Sequence, residues 1–442
     1  MTKSVCDRSH RVPAISEGMS RRALLAAAGG AAFAATSHRA LADFDRPPRI
    51  LLRSSWATVN IGDIAHTPGV LRLLEAHLPQ AEVWLWPSKV DNGVEDLLLD
   101  RFPSLKIVDG SRDLAAAFAE CDFLLHGSGA NFVAQSSVMQ WLSSEKSKGK
   151  PFGVYGITLG PKQSWKTQPD PPEVTAAAVE VLNRAAFVYF RDSESLRFAR
   201  AEGLTVPVAA YGPDGAFACD LGNPAKAEMF LREHRLDPGK FLCVIPRARY
   251  TPSWRMPGKE GTLDPVKAAR NDAMLEHDHA PLREAIVRVV RETDCKVLVC
   301  PEDMTQMQIG KDVLYDPLPS DVKERVVWRA DYWLTDEALS VYRQSAGLFG
   351  NELHSAIMCI GNGIPAVVCR WAEQTSKGTM WRDIGLDSWL FDLDDERQCA
   401  RVAEAVLEIA KHPRAAVEKA RGAQTRVEAL QGESMAVLRK LL

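Results

Sequence analysis

Short apolar runs alternating with amphipathic segments, carried through two successive cycles, constrain this chain more than any other feature. The runs of the first cycle are RILLRSS (49–55), AEVWLWPS (81–88), LKIVDG (105–110), DFLLHGSG (122–129), PFGVYGITLGP (151–161), FVYF (187–190) and PVAAYGPDG (207–215). Between the first two, Val70, Leu71, Leu73, Leu74 and Leu78 recur with helical spacing. A second cycle runs through KFLCVIPRARY (240–250), CKVLVCPED (295–303), ERVVWRADYW (324–333), AGLFGNELH (346–354), IPAVVCRW (364–371) and SWLFDLDD (388–395). Uninterrupted apolar strands separated by helices imply parallel sheets covered on both faces. The expected fold is α/β, with two doubly wound Rossmann-like domains at 49–222 and 240–395 facing a central cleft. A linker near 221–239 joins them, and helices occupy 396–442. A polar stretch between Tyr250 and His279 is expected to form a flap, and a helix is expected around Phe132–Ser147.

With 442 residues, 46% of them hydrophobic, and a net charge of only -3, the composition is that of a globular chain. The absence of a cationic surplus argues against nucleic acid as the main partner. No apolar run in the body reaches the roughly 20 residues of a membrane span. The segment Met19–Ala42 combines Arg21-Arg22, an Ala/Gly-rich stretch and Ala40-Leu41-Ala42. That layout predicts a signal peptide over 1–42, of twin-arginine type, and an exported mature chain. Eight cysteines follow it (Cys121, Cys219, Cys243, Cys295, Cys300, Cys359, Cys369, Cys399). They sit mostly inside apolar runs, which predicts packing as small hydrophobes. No Cys/His spacing has the pattern of a zinc site, so neither a metal nor a cofactor is expected.

In doubly wound sheets ligands bind beyond the strand C-termini, which selects the candidate site residues. Asn60, Gly62 and Asp63 follow the first strand as a cap and close-approach turn. Gly127, Ser128 and Gly129, with Ala130 and Asn131, form a Gly-rich turn suited to an anion; it lacks both the P-loop and the dinucleotide pattern. Arg191 follows FVYF, either as an anion clamp or as half of a structural pair with Asp192. Asp214 is either a base or a loop cap. Arg247, Arg249, Tyr250, Trp254 and Arg255 make a basic strand end. Glu352 and His354 open an apolar helix, where the dipole lowers a histidine pKa toward use as an acid or base.

In this order, Asn60-x-Gly62-Asp63, Gly127-Ser128-Gly129, Gly156…Gly160-Pro161, Arg191-Asp192-x-x-Ser195, Pro213-Asp214, Glu352-Leu353-His354 and Gly363-Ile364-Pro365 resemble the polysaccharide pyruvyl transferase family. The resemblance runs through most of 50–395. It implies a two-domain fold of the glycosyltransferase GT-B kind. The implied activity is transfer of pyruvate from phosphoenolpyruvate to two sugar hydroxyls of a surface polysaccharide, as a cyclic ketal. It further implies that Arg191 clamps the donor and that His354 is the acid/base. One position departs from the family: Glu352 stands where the pattern has Arg, reversing the local field. Either Arg247, Arg249 or Arg255 compensates, or the donor differs. In the second case Glu352 is a base on an acceptor hydroxyl. A third expectation is a non-catalytic envelope carbohydrate-binding protein, with residues such as Trp254 and Trp371 stacking on sugars.

Overall fold

The computed structural model describes residues 46–129, 132, 137–256 and 261–442. The leader at 1–42 and the residues Ala130 and Asn131 lie outside the described residues.

The first cycle forms β1 (Arg49–Ser54), β2 (Glu82–Pro87), β3 (Lys106–Ile107), β4 (Phe123–His126), β5 (Phe152–Ile157), β6 (Phe187–Phe190) and β7 (Ala209–Tyr211). The second forms β8 (Phe241–Ile245), β9 (Lys296–Val299), β10 (Val326–Trp328), β11 (Gly347–Gly350), β12 (Ala366–Arg370) and β13 (Leu390–Asp392). Each cycle closes its own parallel sheet, in the orders β3-β2-β1-β4-β5-β6-β7 and β10-β9-β8-β11-β12-β13. Both orders reverse direction between the first and fourth strands of their cycle. The crevices of the fold therefore open beside β1/β4 and β8/β11. β4, β5, β6, β8 and β11 are buried at every residue, as parallel strands covered on both faces must be.

Helix α1 (Ile61–His77) follows β1 and has almost no polar face, because it lies between the two halves of the molecule. Glycine permits this closeness. A Cβ on Gly62 would stand 2.2 Å from the Cβ of His354, and one on Gly69 would stand 2.0 Å from the Gly215 carbonyl oxygen.

The linker region holds a helix of its own, α2 (Pro224–Glu233), started by Asn223. The expected flap is largely helical too. α3 (Pro265–Glu292) begins about four turns before Pro281, because Asp264 caps it by accepting from the amides of Val266 and Lys267. In the first half the helix expected near Phe132–Ser147 is an α-helical segment at Ser137–Ser143. After β11 comes α4 (His354–Gly361), and the C-terminal region is two helices, α5 (Glu396–Lys411) and α6 (Pro413–Arg439). α6 returns to the first half, where Gln431 donates to the Asp214 carbonyl at 3.2 Å. All eight described cysteines are buried and free, and no described helix is long and apolar enough to cross a membrane.

Candidate active site

The loops beyond the two crevices meet. Ile61 N donates to the Glu302 carbonyl at 2.9 Å, and Thr335 Oγ1 donates to the Ile61 carbonyl at 2.9 Å. Asn60 does the capping expected of it, its Oδ1 accepting from Gly62 N (2.8 Å) and Asp63 N (2.9 Å). Gly62 makes room for His354 rather than for a ligand. Asp63 stands at the mouth with its side chain about one-third exposed, 3.8 Å from His354 Nδ1.

Behind this mouth the first half builds a closed network. Asp214 Oδ2 accepts from Arg191 Nη1 at 2.7 Å, while Oδ1 accepts from Ser128 Oγ at 2.7 Å and lies 2.8 Å from His66 Nδ1. Arg191 Nε also donates to Thr158 Oγ1 at 2.6 Å. Burial alone would raise the Asp214 pKa, but His66 and Arg191 beside it hold the carboxyl well below the usual range. Two expectations change accordingly. Asp214 is too firmly ionised and too fully engaged to be a base; it positions His66. Arg191 is a buried partner of Asp214 rather than an open clamp, and only its Nη2 stays unpartnered. The Gly-rich turn is likewise spent on packing: a Cβ at Gly129 would stand 2.5 Å from the Trp56 indole nitrogen, and one at Gly127 would stand 3.0 Å from Leu52. Ser128 serves Asp214. Asp192 caps the following helix through Ser195 N at 2.7 Å, and burial raises it to about 6.

The second half is less closed. Arg247 Nη1 donates to Glu352 Oε2 at 2.8 Å, and Gln306 Nε2 donates to Oε1 at 2.6 Å. Arg247 is thus the cation that compensates Glu352. Burial pushes the Glu352 carboxyl up while Arg247 opposes the shift. Arg249 does not share this role. It is turned into a separate cluster, with Asp278 at 2.9 Å on both nitrogens, Glu373 at 3.1 Å and Asp394 at 2.7 Å. Arg255 sits exposed in a short helical turn, Trp254 is half-buried, and Trp371 is fully buried, which removes Trp371 as a sugar platform. His354 is buried at the start of α4. Burial first, then His66, holds its pKa well below the usual histidine value, so its imidazole is neutral at neutral pH and suited to accepting protons.

Four residues of the site went unnamed in the sequence: His66, Glu302, Asp303 and Lys377. His66 is hidden within an apolar helix. Glu302 and Asp303 follow an apolar strand, the same signal that selected Arg191. Glu302 Oε2 accepts from Ser355 N at 2.7 Å, Oε1 has no hydrogen-bond partner, and burial raises its pKa. Asp303 is raised to about 6, by burial and then by Glu352. Lys377, buried in the loop beyond β12, has its pKa lowered by burial and by Arg191 and Arg247.

Two facing Rossmann-like domains with a charged site between them define a GT-B-type architecture, the class of many sugar-handling transferases and epimerases. Within it, residues 60–373 match the polysaccharide pyruvyl transferase family, and the chain belongs to that family. Among solved structures, Anabaena Alr3699/HepE in complex with UDP and glucose is similar at 11% identity and TM-score 0.50, covering 89% of this chain and 99% of that one. A putative UDP-N-acetylglucosamine 2-epimerase from Listeria monocytogenes is similar at 11% identity and TM-score 0.51, covering 89% and 95%. At such identity the likeness speaks for the fold alone. A search of curated protein sequences returns no significant match.

Proposed function

We propose that this polysaccharide-modifying transferase moves pyruvate from phosphoenolpyruvate onto two hydroxyls of a sugar. The observation that carries the reading is Lys377, a buried amine whose charge acts on Arg191, Arg247 and the neutral imidazole of His354. Buried cations with no solvent to screen them are strong anion sites. Lys377, the free Nη2 of Arg191 and Arg247 would meet the carboxylate and phosphate of the donor.

The chemistry asks the protein for two proton movements. A sugar oxygen bonds to the enol carbon, its proton going to a base, while the methylene takes a proton and becomes methyl. The carbon–phosphate oxygen bond then breaks, its electron pair leaving with inorganic phosphate, and the second hydroxyl closes the ketal as its own proton passes to that phosphate. Neutral His354 supplies the base, and Glu302, whose hold on its proton is strengthened by burial, is the nearest acid. The acceptor is a sugar or polysaccharide. The leader at 1–42 belongs to the same proposal and puts the reaction outside the cytoplasm; N-terminal sequencing of the exported protein checks it.

The test is sugar-dependent phosphate release from phosphoenolpyruvate across a panel of oligosaccharides, with His354→Gln as control. Release that requires both substrates and falls at least a hundredfold in the variant supports the reading. A glycosyltransferase-like reaction with another donor, the reading favoured by Glu352 in place of Arg, would give no release from phosphoenolpyruvate and turnover with a sugar nucleotide instead.

A further inference from the structure

One group of side chains between the halves is only partly used by that chemistry. Asp63 and His66 stand three residues apart on α1 and so share a face. His354 arrives from the first turn of α4, and ligand atoms of the three lie within 4.8 Å of one another. The two imidazoles meet edge to face with centroids 4.9 Å apart. His66 is 0% exposed and His354 6%, and each keeps an Nε2 with no hydrogen-bond partner. A buried polar atom left unpaired costs roughly 1–3 kcal/mol, so an orphan nitrogen on each of two touching rings points to something that takes both.

The surroundings specify what that is. His66 Nδ1 is committed to Asp214, which Arg191 and Ser128 hold in turn. A carboxylate on one imidazole nitrogen fixes the ring and leaves the other lone pair outward, the arrangement behind most metal-ligating histidines. Arginines neutralise Asp214 and Glu352. Asp63 and Glu302 have no arginine partner, and Glu302 Oε1 lies 3.6 Å from His354 Nδ1. Two carboxyl groups without an arginine salt bridge, beside two imidazoles, offer a cation oxygen and nitrogen donors together. Lys377 and Arg191 oppose any cation here, so affinity has to come from the ligands rather than the field. Mixed nitrogen and oxygen donors select a zinc-type ion over calcium or magnesium, which prefer oxygen throughout.

We propose that Asp63, His66 and His354 bind one divalent transition-metal ion, with Asp214 as a positioning residue behind His66. Asp63, at the solvent edge, gives the ion its way in and leaves an open coordination position. The ion takes the lone pair that proton transfer needs at His354, so the ion-bound and proton-transferring forms exclude one another.

The probe is cobalt(II), added to tag-free, chelator-stripped full-length protein. The expected result is a saturable visible absorption band at one equivalent, displaced by zinc. Asp63→Asn, at a partly exposed position that folding tolerates, should weaken binding at least tenfold. His66→Gln and His354→Gln should abolish the band while circular dichroism is retained. No band, or a band unchanged in Asp63→Asn, would overturn the site. Donor binding measured in chelator is a separate readout, so failure of this proposal and failure of the pyruvyl transfer reading are distinguishable.

Discussion

The two halves of the molecule share one strand order and treat their buried charges in opposite ways. The first half builds a near-closed circuit: Arg191, Asp214, Ser128 and His66 bond one another at 2.7–3.1 Å, leaving Arg191 Nη2 and His66 Nε2 over. The second half pairs Arg247 with Glu352 but leaves Glu302 Oε1 without a partner, Asp303 raised to about 6 and Lys377 shifted toward neutrality. Ionisation displaced by burial at the mouth of a cleft is the kind of perturbation that chemistry uses. The first half is the tighter frame, and the second carries most of the displaced groups against it.

Breaking the frame should have the largest effect. Arg191→Met leaves Asp214 ionised and buried with one partner fewer, and should cost about 3–5 kcal/mol in denaturant unfolding. The pH dependence of stability sharpens the comparison at two residues, His126 and Asp303, which should respond with opposite sign. His126, in the first half, is lowered from 6.5 to about 4, by burial and then by Arg53. Its contribution is present above pH 6.5 and is lost as pH falls toward 4, on the order of 3 kcal/mol, and His126→Phe should flatten that limb. Asp303, in the second half, is raised from 3.8 to about 6. Its contribution is present below pH 3.8 and is lost as pH rises to 6, so Asp303→Asn should make the protein relatively more stable at pH 7 than at pH 4, by about 2–3 kcal/mol.

Two smaller predictions concern the seam. A Cβ on Gly361 of α4 would stand 1.8 Å from the Phe217 carbonyl oxygen of the first half. Gly361→Ala should therefore cost about 1–3 kcal/mol by forcing the halves apart. Thr335→Val removes the hydroxyl that bonds Ile61 across the seam and should cost about 1 kcal/mol. Thermal unfolding of both variants checks these values.

Much of this frame is legible in the sequence because its signals are local. Apolar runs such as FLCVI and GLFG reveal strands, and the residues just beyond them, Asn60, Ser128, Arg191, Asp214, Arg247, Glu352 and His354, do converge. Partnership is not local, and there the sequence is silent. Nothing in the sequence near Arg191 announces that Asp214 will neutralise it, and nothing near Arg249 announces Asp278, Glu373 and Asp394. His66 lacks a polar face to signal it, because α1 is buried on both sides. Lys377 sits in a loop with no periodicity, and nothing in its neighbours announces its burial.

Donor binding by the buried cations beyond β6, β8 and β12 is the central claim to test. The measurement is calorimetric titration of chelator-treated full-length protein with phosphoenolpyruvate at neutral pH, repeated with Lys377→Met. Saturable binding that the variant loses is the predicted result. No binding at millimolar donor, or binding indifferent to Lys377, would contradict it.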